Sequence, residues 1–176
     1  MMYKQQIEIP TISQAEKVNL STTEISRKIK EQLKRDFKNC VFSVSSKYYS
    51  GGSSISIYLM KADFKIIKEP SEITETAFFN YEQRQRYTRE QLIKNQTETH
   101  FQLNQFTLRE AFNNDNWNNG VFLTEQGHKL LSDVVKIADA YNWNNSDSSI
   151  DYFDVNFSFN IDIGKWDKPF IQEVKR

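Results

Sequence analysis

The chain has 176 residues and 23 basic and 23 acidic side chains, so its formal net charge at pH 7 is zero. This length suits one domain with a sizeable core. The single cysteine, Cys40, excludes an intramolecular disulfide, and no apolar run approaches the roughly 18 residues of a membrane span. Since residues 1–20 also contain no apolar signal segment, the sequence predicts a cytoplasmic protein.

The neutral total hides two oppositely charged regions. Residues 17–47 contain eight basic and three acidic residues, whereas residues 139–163 contain five aspartates and no lysine or arginine. Such a two-sided charge distribution can steer partners even when the net charge is zero.

The N-terminal part predicts an arm followed by a basic helix. Residues 7–9 alternate apolar and polar side chains, which indicates a short edge strand or an ordered arm. Ser21 and Glu24 then form the pattern of a capping box. Apolar residues recur every four positions from Ile25 to Phe37, so a helix with one buried stripe is predicted over Thr22–Lys38.

Basic residues cover the rest of this helix and continue to Lys47. They form either a solvated polar face or an electrostatic contact to a phosphate backbone or an acidic protein. Two tyrosines in the next loop also suit contact with a partner. The candidate nucleic-acid or partner contacts are Arg27, Lys28, Lys30, Lys34, Arg35, Lys38, Lys47, Tyr48 and Tyr49.

A β-hairpin is predicted next, with strands over Val41–Ser45 and Ser54–Leu59. Between them, Gly51 and Gly52 allow the positive φ of a tight turn or a bulge. A loop rich in serine and glycine can also cradle a phosphate with its backbone amides. This loop lacks the lysine and the following helix of a phosphate-binding P-loop, so a structural turn is the favoured interpretation.

Residues 60–119 carry weaker signals. A short strand is possible over residues 63–68, and Pro70 marks a break. From residue 72 to residue 113 the composition becomes polar, with scattered anchors such as Phe101 and Phe106. We expect one or two helices here, as a helical insertion over about residues 71–115.

The C-terminal part predicts a second helix and a long strand. Thr124 caps a helix over Glu125–Tyr141, whose apolar residues fall at helical spacing. A polar loop over residues 144–149 follows. Apolar and polar side chains then alternate up to Gly164, so one long half-buried strand is predicted over Ile150–Gly164.

Together these elements predict an α+β fold. An antiparallel sheet of three or more strands carries the helices Thr22–Lys38 and Glu125–Tyr141 on one face. The expected organisation is a single domain over residues 1–176, with its core at about residues 21–68 and 120–164.

The sequence contains no nucleophile elbow, Walker loop or dinucleotide fingerprint. His100 and His128 are predicted to be surface or capping residues, because neither has a companion at metal-ligand spacing. Asp147, Asp151 and Asp154 offer the oxygen ligands of a hard cation, but a regular strand would point the last two to opposite faces. We therefore predict turn formation for these aspartates, with no metal and no cofactor.

Two stretches resemble a known family. After a helix containing EISRKIKEQL, residues 43–57 (SVSSKYYSGGSSISI) resemble the start of the twenty-ninth large polyvalent protein-associated domain. Residues 141–157 (YNWNNSDSSIDYFDVNF) are similar to that family's C-terminal signature. The resemblance covers about residues 21–59 and 124–164 and leaves out residues 60–119. The motif positions that suggest a shared role are Tyr49, Ser50, Gly51, Gly52, Asp147, Asp151, Tyr152 and Asp154.

Such domains accompany phages and conjugative elements, so the resemblance implies a mobile-element accessory protein in the cytoplasm of a bacterial host. It supplies no catalytic residues. The first hypothesis is a non-enzymatic, anti-CRISPR-like inhibitor that binds a host defence protein or ribonucleoprotein, through protein, guide RNA or both, with no membrane partner. The alternatives are a metal-dependent nuclease using Asp147, Asp151 or Asp154, and a structural or assembly accessory of a phage or conjugative element.

Overall fold

The computed structural model describes residues 7–73, 100–113, 120, 122–150 and 154–173. The described helices and strands are α1 (Gln14–Asn19), α2 (Thr22–Asp36), β1 (Cys40–Tyr49), β2 (Gly52–Ala62), β3 (Phe101–Leu103), α3 (Glu125–Tyr141), β4 (Ser158–Ile163) and β5 (Ile171–Gln172). Short 3-10 helices lie at Pro70–Glu72, Thr107–Arg109 and Ser148–Ile150.

The strands form one sheet in the order β1-β2-β4-β3, and β5 pairs with the end of β2. The pairs β1–β2 and β3–β4 are antiparallel, whereas β4 and β5 run parallel to β2. The predicted α+β class is confirmed, and the sheet is mostly antiparallel. The parallel pairing of β4 was not predicted. Parallel neighbours require a long crossover connection, and the segment from β2 to β4, which includes α3, provides one.

One face of the sheet is apolar and carries both longer helices. Ile55 and Ile57 of β2 lie beside Phe159 and Ile161 of β4, and Ile57 and Ile161 are fully buried. Residues from α2 and α3 complete the same core, as do residues of β3. The main helical contributions are Ile25, Ile29, Leu33, Leu130, Val134 and Ile137. The opposite face is polar, because the side chains alternate along each strand.

The two longer helices follow the sequence prediction closely. The capping box of Ser21 and Glu24 is present, and the serine hydroxyl and backbone N–H hold the pKa of the Glu24 carboxyl below its usual value. α3 has the predicted bounds, while α2 ends at Asp36 instead of Lys38. Capping residues and four-residue periodicity are sufficient to predict both helices, because each of these signals involves residues only one or two helical turns apart.

α2 lies along β1 in the antiparallel sense. Contacts join the two elements in reverse order along the chain: the Thr23 backbone N–H donates to Tyr48 Oη over 3.3 Å, the hydroxyls of Ser26 and Ser46 are 3.4 Å apart, and the rings of Phe37 and Phe42 have centroids 5.7 Å apart. The helix therefore follows the strand over most of its length.

The hairpin is longer than predicted. β1 and β2 extend to Tyr49 and Gly52, so the predicted loop between the strands shrinks to a turn at Ser50 and Gly51. Gly51 has a φ of 91°, a left-handed conformation that glycine adopts without strain. The serines near the turn belong to the strands: Ser46 and Ser53 lie on the helix-covered face, where their hydroxyls contact those of Ser26 and Thr22. Serine favours turns, which explains why composition alone assigns these residues to a loop.

The predicted strand over Ile150–Gly164 is wrong in its first half. β4 begins only at Ser158, and residues 148–150 form a 3-10 helix. The Asn142 amide donates to the carbonyl oxygen of Phe157 over 2.9 Å, and the Asn156 N–H donates to the carbonyl oxygen of Trp143. Backbone groups of residues 156 and 157 thus hydrogen-bond to the segment after α3 and not to a neighbouring strand.

The region between β2 and α3 also differs from its prediction. Within the predicted helical insertion, Phe101–Leu103 is a strand of the main sheet paired with β4, and residues 74–99 lie outside the described residues. Residues 63–68 contain only an isolated bridge, between Ile67 and Leu123. The N-terminal residues 7–13 form no strand, and the short helix α1 follows them without having been predicted.

Candidate partner-binding groove

A groove of about 370 Å³ lies between α2 and the outer strand β1. Its rim carries three lysines at four-residue spacing and its floor is the start of β1. We call this the lysine groove; its lining residues are Lys30, Lys34, Lys38, Cys40, Val41 and Phe42. Three of the nine predicted contact residues therefore meet at one site.

The local sequence explains why the lysines overhang the strand. Ile29 and Leu33 of α2 are fully buried against the sheet, so residues next to them on the helix surface lie at the margin of the sheet. After α2 the chain turns within a few residues, because the Cys40 N–H donates to the carbonyl oxygen of Phe37. This short connection places Lys38 and the start of β1 side by side.

The lysine groove carries three positive charges. Other basic side chains are paired: Arg35 with Asp36 at 2.8 Å and Arg109 with Asp139 at 2.7 Å. Among the described residues, Lys30, Lys34 and Lys38 make no ion pair. Three like charges beside an apolar floor, where Val41 is 52% exposed, favour a ligand that is anionic and partly apolar.

The other predicted basic contacts do not join the lysine groove. Arg27 is exposed one turn before Lys30, while Lys28 is half-buried. Arg35 is occupied by its neighbour Asp36, which raises the pKa of the guanidinium through a hydrogen bond. Lys47 lies in register with Ser54 and therefore projects from the polar face of the sheet.

The two predicted tyrosines stabilise the hairpin. Tyr48 is 57% exposed and accepts the hydrogen bond from the first turn of α2. Tyr49 crosses Gly52, where an added Cβ would lie 3.2 Å from its ring, and its hydroxyl lies 3.3 Å from both the Ser53 carbonyl oxygen and the Ser158 hydroxyl. Of the family-motif positions at this turn, Tyr49 thus ties the hairpin to β4, while Ser50 and Gly51 form the turn itself.

The aspartates of the C-terminal motif form turns where they are described. Asp147 accepts from the hydroxyl of Ser149 over 2.6 Å and from its N–H, and these bonds lower the pKa of the Asp147 carboxyl. The Asp154 N–H donates to the Ser146 hydroxyl. Asp151 and Tyr152 lie outside the described residues. Where side chains are described, no group of three histidine, cysteine or acidic residues is arranged to hold a metal.

Cys40, on the floor of the lysine groove, was not predicted as a site residue. Burial, together with the nearby Asp63 carboxylate, raises the pKa of its thiol to about 12. The thiolate is the reactive form of cysteine. The Cys40 thiol is therefore a poor nucleophile at neutral pH.

Alkylation of Cys40 by iodoacetamide should be at least about a hundredfold slower at pH 8 in the folded protein than in the urea-unfolded chain, because an ordinary thiol has a pKa of about 8.5. The rate should still rise about tenfold per pH unit between pH 8 and pH 10. Mass spectrometry at timed intervals measures it, with circular dichroism as a control for folding. A rate that levels off near pH 9 would show an ordinary thiol.

The polar face of the sheet contains an aspartate–histidine pair, Asp162 and His100, that the sequence did not reveal. Asp162 is 3% exposed, and its Oδ2 accepts from the Asn160 amide over 2.6 Å. Its Oδ1 lies 3.6 Å from His100 Nε2 and has no hydrogen bond among the described residues. Burial raises the pKa of the Asp162 carboxyl, and Asn160 and His100 oppose the shift.

The other histidine, His128, is buried beside Phe112, so its predicted surface position is wrong.

Replacing Asp162 by asparagine should make the free energy of unfolding less dependent on pH. A carboxyl whose pKa is raised on folding contributes stability below its ordinary pKa of 3.8 and loses that contribution as the pH rises through the folded value. At pH 8 the variant should therefore be more stable by about 1 kcal/mol. Urea titrations at pH 4 to 8 measure this, with Asp167→Asn on an exposed turn as the control. A loss of stability at pH 8 would mean that the ionised carboxylate has a favourable partner.

The described helices include none with the length and apolar character needed to span a membrane.

Comparison with known proteins gives one match. Residues 20–112 match the family described as Large polyvalent protein associated domain 29. The match includes residues 60–112, which the sequence analysis places outside the family, and it does not extend to the C-terminal stretch over residues 124–164. No curated protein and no solved structure matches the chain.

The matched segment contains α2, the β1–β2 hairpin and β3, and therefore also the whole lysine groove. It spans more than half of the chain. The protein belongs to the family of large polyvalent protein associated domain 29, a domain of phages and other mobile elements.

Proposed function

We propose that this protein is a mobile-element accessory that counters host defence in the host cytoplasm, as a non-enzymatic, anti-CRISPR-like inhibitor. It binds a nucleic-acid-guided defence nuclease, through the protein, the guide RNA or both, and the lysine groove is the contact surface. The observation that carries the proposal is a row of lysines that make no ion pair within the described part of the chain, on a segment that belongs to a mobile-element family.

The chemistry of the lysine groove suits binding better than catalysis. Its cations attract an anionic partner, and its floor offers Val41 as exposed apolar surface. Its one nucleophile, Cys40, stays protonated because the pKa of its thiol is about 12. The Asp162–His100 pair, which could move a proton, projects from the opposite face of the sheet and does not meet the lysines.

An affinity pull-down from a bacterial lysate tests the proposal. The tagged protein is the bait, the lysate is split into nuclease-treated and untreated halves, and the protein and RNA that bind are both identified. We expect a defence effector or its guide RNA in the untreated half. Loss of the effector after nuclease treatment would show that RNA is the bridge. Recovery of mobile-element proteins alone would contradict the proposal and favour an assembly role.

A further inference from the structure

β1 is the outer strand of the sheet, and among the described segments only β2 pairs with it. A two-residue turn closes on a hydrogen-bonded pair, here Tyr49 and Gly52, and such pairs alternate along an antiparallel ladder. Val44 and Ser46 therefore direct their backbone N–H and C=O groups away from β2. An outer strand with such groups is a template for one more strand.

The lysine groove lies above this open edge. α2 follows β1 antiparallel along its length, and Lys30, Lys34 and Lys38 line the groove together with the first residues of β1. Residues four apart on a helix are separated by about 6 Å, and alternate residues of a strand by about 6.6 Å. Alternate side chains of an added strand would thus match the lysine spacing.

We propose that β1 accepts an acidic, extended segment of a partner protein as a sixth strand, with carboxylates at alternate positions beneath Lys30, Lys34 and Lys38. This rests on the proposed function and specifies how the partner is held. Main-chain hydrogen bonds to the edge of β1 provide the affinity, and the lysines provide the specificity for an acidic sequence.

The same surface favours a polypeptide over RNA. Single-stranded RNA is held by aromatic side chains on which bases stack, in addition to positive charge. Among the described residues that line the lysine groove, the only ring is that of Phe42, which is half-buried and packs on Phe37. The open backbone groups of the edge also match a strand and not a ribose-phosphate chain.

A second copy of this protein is a poorer occupant than an acidic segment. Pairing of two β1 strands would bring two rows of lysines together, and like charges at close range oppose such pairing. This charge guards the edge against self-association while leaving it open to a partner of opposite charge.

Fluorescence anisotropy with synthetic ten-residue probes tests this inference on the full chain. The main probe alternates glutamate with valine or threonine. One control replaces each glutamate by glutamine, and a second carries N-methyl groups on the amides of one edge, which removes the donors for strand pairing. A ten-nucleotide single-stranded RNA is the third ligand. We expect the acidic probe to bind at least tenfold more tightly than all three.

Three results would overturn the inference. The first is equal binding of the N-methylated probe, which would show charge attraction without strand pairing. The second is no binding of the acidic probe at concentrations up to 1 mM. The third, preferential binding of the RNA, would assign the lysine groove to nucleic acid instead. These failures are distinct from failure of the proposed function, because the pull-down would still recover a defence effector. If the acidic probe binds but the pull-down yields no effector, the edge-strand inference stands and the counter-defence function fails.

Discussion

Replacing Lys30, Lys34 and Lys38 together by glutamine should weaken binding of the captured partner at least tenfold, which corresponds to about 1.4 kcal/mol. The three lysines have no ion pair among the described residues, so their charges are available to a partner. Close charge pairs across interfaces couple by about 1.5 kcal/mol or more. The fold should be unaffected, because substitutions of exposed side chains usually change stability by less than about 0.5 kcal/mol.

A matched variant makes this test specific. Lys28, Arg35 and Lys47 were predicted as contacts by the same sequence argument, but they lie away from the lysine groove. Replacing them by glutamine changes the net charge by the same amount and should leave binding within about twofold. Binding is measured at two salt concentrations, which gives the slope of the logarithm of the binding constant against the logarithm of the salt concentration. With an RNA partner, the magnitude of this slope should fall by about 0.7 to 0.9 for each phosphate contact that is lost. Equal loss in both variants would indicate a diffuse charge effect, with no role for the groove.

The sequence was sufficient for features that are specified within a few residues. The capping box at Ser21 and the apolar stripe from Ile25 located α2, and the same signals located α3. The helical spacing of Lys30 and Lys34 also put them on one face. What the sequence did not show is that this face borders the open edge of β1, since that depends on how α2 packs on the sheet.

Contacts between distant segments account for the remaining errors. β3 is only three residues long and is recognisable as a strand only through its pairing with β4. The Asn142 side-chain amide donates to the carbonyl oxygen of Phe157, so this backbone group is not available for pairing with a strand. An alternating sequence pattern does not reveal such a contact. The Asp162–His100 pair joins residues on different segments and is absent from any local motif. The alternation of Ser158, Asn160 and Asp162 is the signal that could have directed attention to the polar face.

The structure also changes the meaning of the motif around Tyr49. As a sequence, its serines and glycines suggest a loop that could meet a partner. In the fold, Tyr49 packs over Gly52 and reaches Ser158 on β4, so the motif holds the hairpin against the rest of the sheet. The neighbouring Tyr48 joins the same end of β1 to α2 by accepting from the Thr23 N–H, and the geometry of the lysine groove depends on that alignment.

Truncating Ile57 to alanine should lower the free energy of unfolding by about 2 to 5 kcal/mol, the cost of a cavity in a close-packed core. Ile57 is fully buried at the centre of the sheet, in register with Val44 of β1 and Ile161 of β4. Urea denaturation measures the change. Ser56→Ala is the control, because its side chain lies on the opposite face and loses only the 2.9 Å hydrogen bond to Asn160, worth about 1 kcal/mol. Since the open edge of β1 is held in place through β2, Ile57→Ala should also weaken binding of the acidic probe, whereas Ser56→Ala should leave it unchanged. Equal destabilisation by the two substitutions would contradict the assignment of the main core to the helix-covered face.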